Sequence, residues 1–362
     1  MHDRTPSPDQ AERLRKLVIP PRNTPMAPST AISGAASTAS STASSTTSST
    51  TSSTTASNAS SSASGPAQAA GAPNPAGLSV SPVSAPERTR STRIARAIAI
   101  SSGKGGVGKT NLAVNLAAAF AARGQRVVLL DADLGLANAD VLCGLTPRAT
   151  LEDVVSGERT LEEVMMMAPG GFRLVPGASG VSRLADMGQM QRRNVLDQLL
   201  ALERTTDVLI VDTGAGIGAN SMAFAAAAHS ILVTATPEPT AIADAYGAIK
   251  TLVARGCRDG LNLVVNMAAS EEEGRAVHAR IDRVARAFLS TPIRYAGSIP
   301  LDPTVPAAVR RRTPVTVAAP EAAASLAIRQ LARVLSGESI AADRADQRKG
   351  FLARLAALVT AR

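Results

Sequence analysis

IAISSGKGGVGKT, from Ile98 to Thr110, joins an apolar strand (ARAIAISSG) to a helical segment (TNLAVNLAAAFAARG). Between them lies the spacing G-x-x-x-x-G-K-[ST], Gly103 to Thr110. Glycines in such a turn let backbone N–H groups converge on phosphate oxygens. The N-terminus of the following helix adds a favourable dipole. Lys109 is placed to contact the β- and γ-phosphates of a nucleoside triphosphate, and Thr110 to offer a hydroxyl to Mg²⁺. The candidate nucleotide loop is Gly103, Lys104, Gly105, Gly106, Val107, Gly108, Lys109, Thr110 and Asn111. One lysine suffices for that grip, so Lys104 is a second that needs its own account.

Outward from the loop, QRVVLLDADLG, GFRLVPG, DVLIVDTGAG, HSILVTATP, LNLVVNMA and IRYAGSIP read as strands, most of them separated by helical patterns. Their apolar runs are nearly continuous, as in strands covered on both faces. The expected fold is α/β, a doubly wound, mostly parallel sheet of the P-loop NTPase kind. Asp212 follows one apolar strand; Asp131 and Asp133 end another. Ligands of open α/β sheets bind outside the carboxyl ends of the strands, so all three carboxylates should face the loop. Thr110, Asp131 and Asp212 form the candidate metal set. Met165 to Met167, Met187 and Met190 read as packing residues.

The 362-residue chain carries a net charge of +9, largely from scattered arginines, which reads as a solvated basic surface and not a nucleic-acid cleft. Cys143 and Cys257 match no metal or redox spacing, and the three histidines form no ligand pattern. No apolar run is long enough to span a membrane, and MHDRTPSPDQ lacks a signal-peptide core. The expected location is cytoplasmic, peripheral at the inner face of the cell membrane. Four regions are expected: a peptide over 1–22, a disordered Ser/Thr/Ala/Pro linker over 23–92, a nucleotidase domain over 93–340, and an amphipathic helix over 341–362.

KGGVGKT with the extra Lys104, then DADLGLANAD, then DTGAG, resembles the deviant Walker A ATPases of the MinD/ParA superfamily. DADLGLANADVLCGL and VVNMAASEEEGRAVHARIDRVARAFL are most similar to flagellar number and placement regulators of the FlhG (FleN) kind. DQAERLR at Asp9 to Arg15 is similar to that family's DQAxxLR motif.

The resemblance implies an ATP- and Mg²⁺-dependent switch ATPase that dimerises around nucleotide. In it Lys104 would reach the partner subunit's ATP, Asp133 would position the attacking water with Asp131 beside it, and Asp212 would hold the metal shell. Asn266 and Asp302 fall where relatives approach adenine; capping or turn formation accounts for them equally. Implied partners are a second copy, an FlhF-type GTPase stimulated by the N-terminal peptide, an anionic membrane surface, and flagellar switch proteins or a flagellar transcription regulator. A positioning ATPase for another cargo, DNA or the division site, is the alternative. A metal-cluster carrier needs paired cysteines that this chain lacks.

In GFLARLAALVT, Phe351, Leu352, Leu355, Leu358 and Val359 share one helical face rimmed by Arg348, Lys349, Arg354 and Arg362. Such a helix lies in a membrane interface or docks on its own domain.

Overall fold

The computed structural model describes residues 94–133, 137–177, 189–342 and 350–360. The expected peptide and linker, with Met187, lie outside the described residues. Eight strands form one sheet in the order β3-β4-β2-β5-β1-β6-β7-β8. They are β1 (Arg96–Ser101), β2 (Val127–Ala132), β3 (Met166–Met167), β4 (Arg173–Val175), β5 (Val208–Thr213), β6 (Ser230–Ala235), β7 (Leu261–Ala268) and β8 (Arg294–Pro300). All neighbours pair in parallel except β3 with β4. The mostly parallel, doubly wound expectation therefore holds.

Strand β1 lies between β5 and β6, and the chain leaves it for β2 on one side and reaches β6 on the other. Such a reversal opens a crevice at the strand ends. Ile98 and Ile100 of β1 face one core, packed with α1 (Lys109–Ala121) and α11 (Ala323–Ala342). Ala97 and Ala99 face a second core, which α5 (Gln189–Arg204), α6 (Ala219–Ala227), α7 (Pro239–Ala254) and α8 (Glu271–Leu289) cover. Both faces of β1 are thus buried, which is why its sequence is apolar without alternation.

The short helices α2 (Ala139–Leu142), α3 (Leu151–Ser156) and α4 (Leu161–Val164) follow β2. Thr150 and Thr160 cap α3 and α4 with reciprocal capping boxes. After β8 come α9 (Thr304–Arg310) and α10 (Val315–Ala318). Helix α11 runs past the boundary expected at residue 340. In the two-residue edge strand β3 one methionine departs from the packing reading: Met167 is 65% exposed, while Met166 is half-buried and Met165 just before it packs against the core.

The last helix, α12 (Phe351–Thr360), docks on α5 and α6. Phe351, Leu352 and Leu355 are buried, while Leu358 is 41% exposed. The apolar face expected to meet lipid is therefore largely closed against protein in this structure. Each buried side chain contributes about 1.5–3 kcal/mol gross, offset in part by helix ordering. Glu203 of α5 caps this helix: its Oε1 accepts the Phe351 N–H at 2.7 Å. A Cβ on Gly350 would collide with both Glu203 oxygens, so glycine there lets the carboxylate reach the helix start. Among the described residues, no helix is long and apolar enough to cross a membrane.

A candidate nucleotide site

The glycine loop turns at the carboxyl end of β1. Gly106 and Gly108 sit at φ 81° and 83°, a region that favours glycine. Gly103 is required for another reason, since a Cβ there would overlap the Asp244 carbonyl oxygen. The Ser102 hydroxyl donates to the Lys104 carbonyl at 2.8 Å. Gly108 then leads directly into α1, so the unpaired N–H groups of the helix start lie at the loop.

Lys109, 6% exposed, donates to Asp212 Oδ1 at 3.0 Å. Asp212 is fully buried, and its Oδ2 has no hydrogen-bond partner. Burial pushes the Asp212 carboxyl up; Lys109 and the Thr110 hydroxyl oppose that shift. Asp131 stands directly across the ladder from Asp212, whose other neighbour is Ile100 at the end of β1. Burial, with Asp212 alongside, raises Asp131 to about 6. Three backbone N–H groups act the other way: Asp133 donates to its Oδ1, and Asn138 and Ala139 donate to its Oδ2. Asp131 thus braces both sides of the segment that carries Asp133. Asp133 itself lies beside Gly214, after β5.

The orphaned Asp212 oxygen tests whether a cation suits this site. A buried carboxylate oxygen without a protein donor, beside Thr110, fits a hydrated Mg²⁺, which keeps several waters and binds through one or two carboxylates plus phosphate. Among the described residues no group of three His, Cys, Asp or Glu forms a protein-only cage. Asp212 and Thr110 are the residues that would hold the ion's shell; bound there, Mg²⁺ would neutralise phosphate charge.

Lys104 folds back onto its own chain. Its Nζ lies 2.7 Å from Glu238 Oε2 and 3.1 Å from Thr240 Oγ1, at the start of α7. Glu238 and Thr240 were missed in the sequence; their signal is the TPEPT turn after the apolar strand HSILVTA. Asn266 reaches the loop too, donating to the Val107 carbonyl at 2.9 Å. Asp302 has structural work: Oδ1 accepts from the Thr304 N–H and hydroxyl, and Oδ2 from the Ala324 N–H. Those bonds hold the Asp302 carboxyl below the ordinary carboxylate range. The capping account of Asp302 therefore describes its geometry.

The loop, the buried Lys–Asp pair and the strand-end carboxylates define a P-loop nucleoside triphosphatase. The ParA family model, described as NUBPL iron-transfer P-loop NTPase, matches residues 93–336. The chain belongs to the ParA family. It is 43% identical over 258 residues to the antiactivator FleN of Pseudomonas aeruginosa, covering 71% of this chain and 92% of that protein. It is 38% identical over 242 residues to the flagellum site-determining protein YlxH of Helicobacter pylori, covering 66% and 81%. Among solved structures, MinD in the MinC:MinD complex of Aquifex aeolicus aligns with a TM-score of 0.55 at 28% identity, covering 68% of this chain and 97% of that one.

The iron-transfer wording of the family model finds no counterpart in the cysteines. Cys143 belongs to the core on one face of the sheet and Cys257 packs against the core on the other.

Proposed function

We propose that this protein is an ATP-hydrolysing switch that dimerises around ATP and Mg²⁺ and regulates flagellar number and placement. The observation that carries the enzymatic part is the buried Lys109–Asp212 pair beneath the glycine loop, with one Asp212 oxygen left open. In this reading Lys109 and the loop N–H groups hold the phosphates, and Asp133 orients water for in-line attack, with Asp131 fixing its segment. Lys104 leaves Glu238 to compensate charge on the partner subunit's ATP.

The flagellar part draws support from the likeness to FleN and YlxH. The DQAERLR peptide acts on an FlhF-type GTPase, tethered by the long linker. Helix α12 binds an anionic membrane when released from α5 and α6, and two helices of a dimer bind better than one by avidity. The test is phosphate release from ATP by the purified chain, with flagella counted in cells carrying Asp133→Ala. Loss of hydrolysis with unchanged flagella would remove the flagellar reading and leave the ATPase.

A further inference from the structure

Asn115 is a buried polar residue in the middle of α1, 1% exposed, with its whole amide engaged. Its Oδ1 accepts from the Thr316 backbone N–H at 3.0 Å and from the Thr316 hydroxyl at 3.1 Å. Its Nδ2 donates to the Asn111 carbonyl at 2.8 Å and to Asn111 Oδ1 at 3.1 Å. A backbone N–H only donates, so the atom facing Thr316 must be the amide oxygen. That fixes which end of Asn115 faces Asn111: a donor. Asn111 must answer with its own oxygen, which turns its NH₂ away from the pair.

No protein acceptor meets that NH₂ among the described residues. Asn111 is half-buried and is the third residue of α1, directly after Lys109 and Thr110. Helix starts of this kind present donors to anions. At the other end of the relay, Thr316 lies in α10, which follows the Asp302-capped start of α9.

We propose that Asn115 is a positioning residue of the nucleotide site, fixing the Asn111 amide so that its NH₂ faces the bound polyphosphate. The inference rests on the ATP-binding reading above. Asn115 touches no ligand; it transmits the polarity of the Thr316 N–H through two amides to the phosphate side of the helix. The same bonds tie the phosphate-binding helix to α10.

The test is a double-mutant cycle on the full chain, read as the dissociation constant for Mg-ATP, with melting temperature as the folding control. Asn111→Ala removes the donor and weakens binding about tenfold. Asn115→Asp offers Asn111 only acceptors, so Asn111 turns its oxygen outward and binding weakens at least as much. Placed on Asn111→Ala, Asn115→Asp adds less than about twofold, because the effect acts through Asn111. Asn115→Leu, which introduces no charge, follows the same pattern with a smaller loss if the aspartate variant does not fold. Wild-type affinity in both Asn115 variants overturns the proposal, as does an equal loss in both backgrounds. If the unaltered chain does not bind ATP, the nucleotide reading fails and this inference with it.

Discussion

Lys104 Nζ stands 2.7 Å from Glu238 Oε2 within one chain, and Glu238 is 66% exposed. Exposed pairs of this kind contribute about 1 kcal/mol or less. The pair is therefore weak enough to open when a better partner, such as phosphate, is presented. Glu238→Ala should leave the melting temperature within a few degrees of the wild type. Lys104→Ala should abolish ATP-dependent dimers while the monomer still binds ATP. Thermal melting reads the first, and light scattering with and without Mg-ATP, beside an ATP-binding titration, reads the second; normal dimers of Lys104→Ala would sink the bridging role.

The Lys109–Asp212 pair is different because it is dry. Removing one partner leaves an uncompensated buried charge, at about 3–5 kcal/mol. Lys109→Ala should lower the melting temperature markedly and lose ATP binding. Lys109→Met with Asp212→Leu should recover stability but not binding. Recovery of ATP binding by the double variant would show that neither charge serves the nucleotide.

Glycines of the loop should differ sharply in tolerance. Gly103→Ala sets a Cβ against the Asp244 carbonyl, and Gly108→Ala sets one against Asn266 at positive φ. Both should cost most of the nucleotide affinity. Gly105 has nothing within 4 Å of an added Cβ and no positive φ. Gly105→Ala should fold and bind ATP as a monomer within about threefold of wild type, since ordinary surface changes stay within about 0.5 kcal/mol. Equal loss in all three variants would count against this geometry.

Burial raises the Glu203 carboxyl above its ordinary 4.5, against the opposing Phe351 and Leu352 N–H groups and Arg354. A raised acid is worth most to the folded state when protonated, and that stability is lost as pH rises through its folded value. Glu203→Gln keeps an acceptor for Phe351 and does not titrate. Its melting temperature relative to wild type should therefore climb between pH 4 and pH 7. A constant difference across that range would refute the burial account.

Leu352→Glu with Leu355→Glu should prevent vesicle binding in any nucleotide state. Wild type should sediment with anionic vesicles more with ATP than with ADP. Equal sedimentation in the two nucleotides would remove the switch from the proposed cycle.

Much of this architecture was readable because its signals are local. Strand β1, the loop and α1 are contiguous, and buried parallel strands announce themselves as unbroken apolar runs. Asp131 and Asp212 could be brought together from strand-end logic alone. What escaped depends on distant partners. Nothing near Lys104 marks Glu238, 134 residues away, as its rest position. An amphipathic helix such as Phe351–Thr360 has one sequence pattern for lipid and for protein; its docking here rests on burial of Phe351, Leu352 and Leu355 and on the distant Glu203, which nothing near the helix marks. The resemblance alone set Asp302 near adenine, beside an equal capping account; its bonds to Thr304 and Ala324 come from helix starts that its own stretch of sequence does not mark.

Lys109 compensates the buried Asp212 charge at 3.0 Å. In the proposed reading a bound triphosphate would compete for the same ammonium group, and Mg²⁺ held by Asp212 and Thr110 would supply the compensation in its place. Nucleotide and metal are in that sense thermodynamically coupled ligands: each should raise the affinity for the other by the same factor. In Asp212→Asn the charge is gone, and the magnesium dependence of ATP affinity should flatten with it.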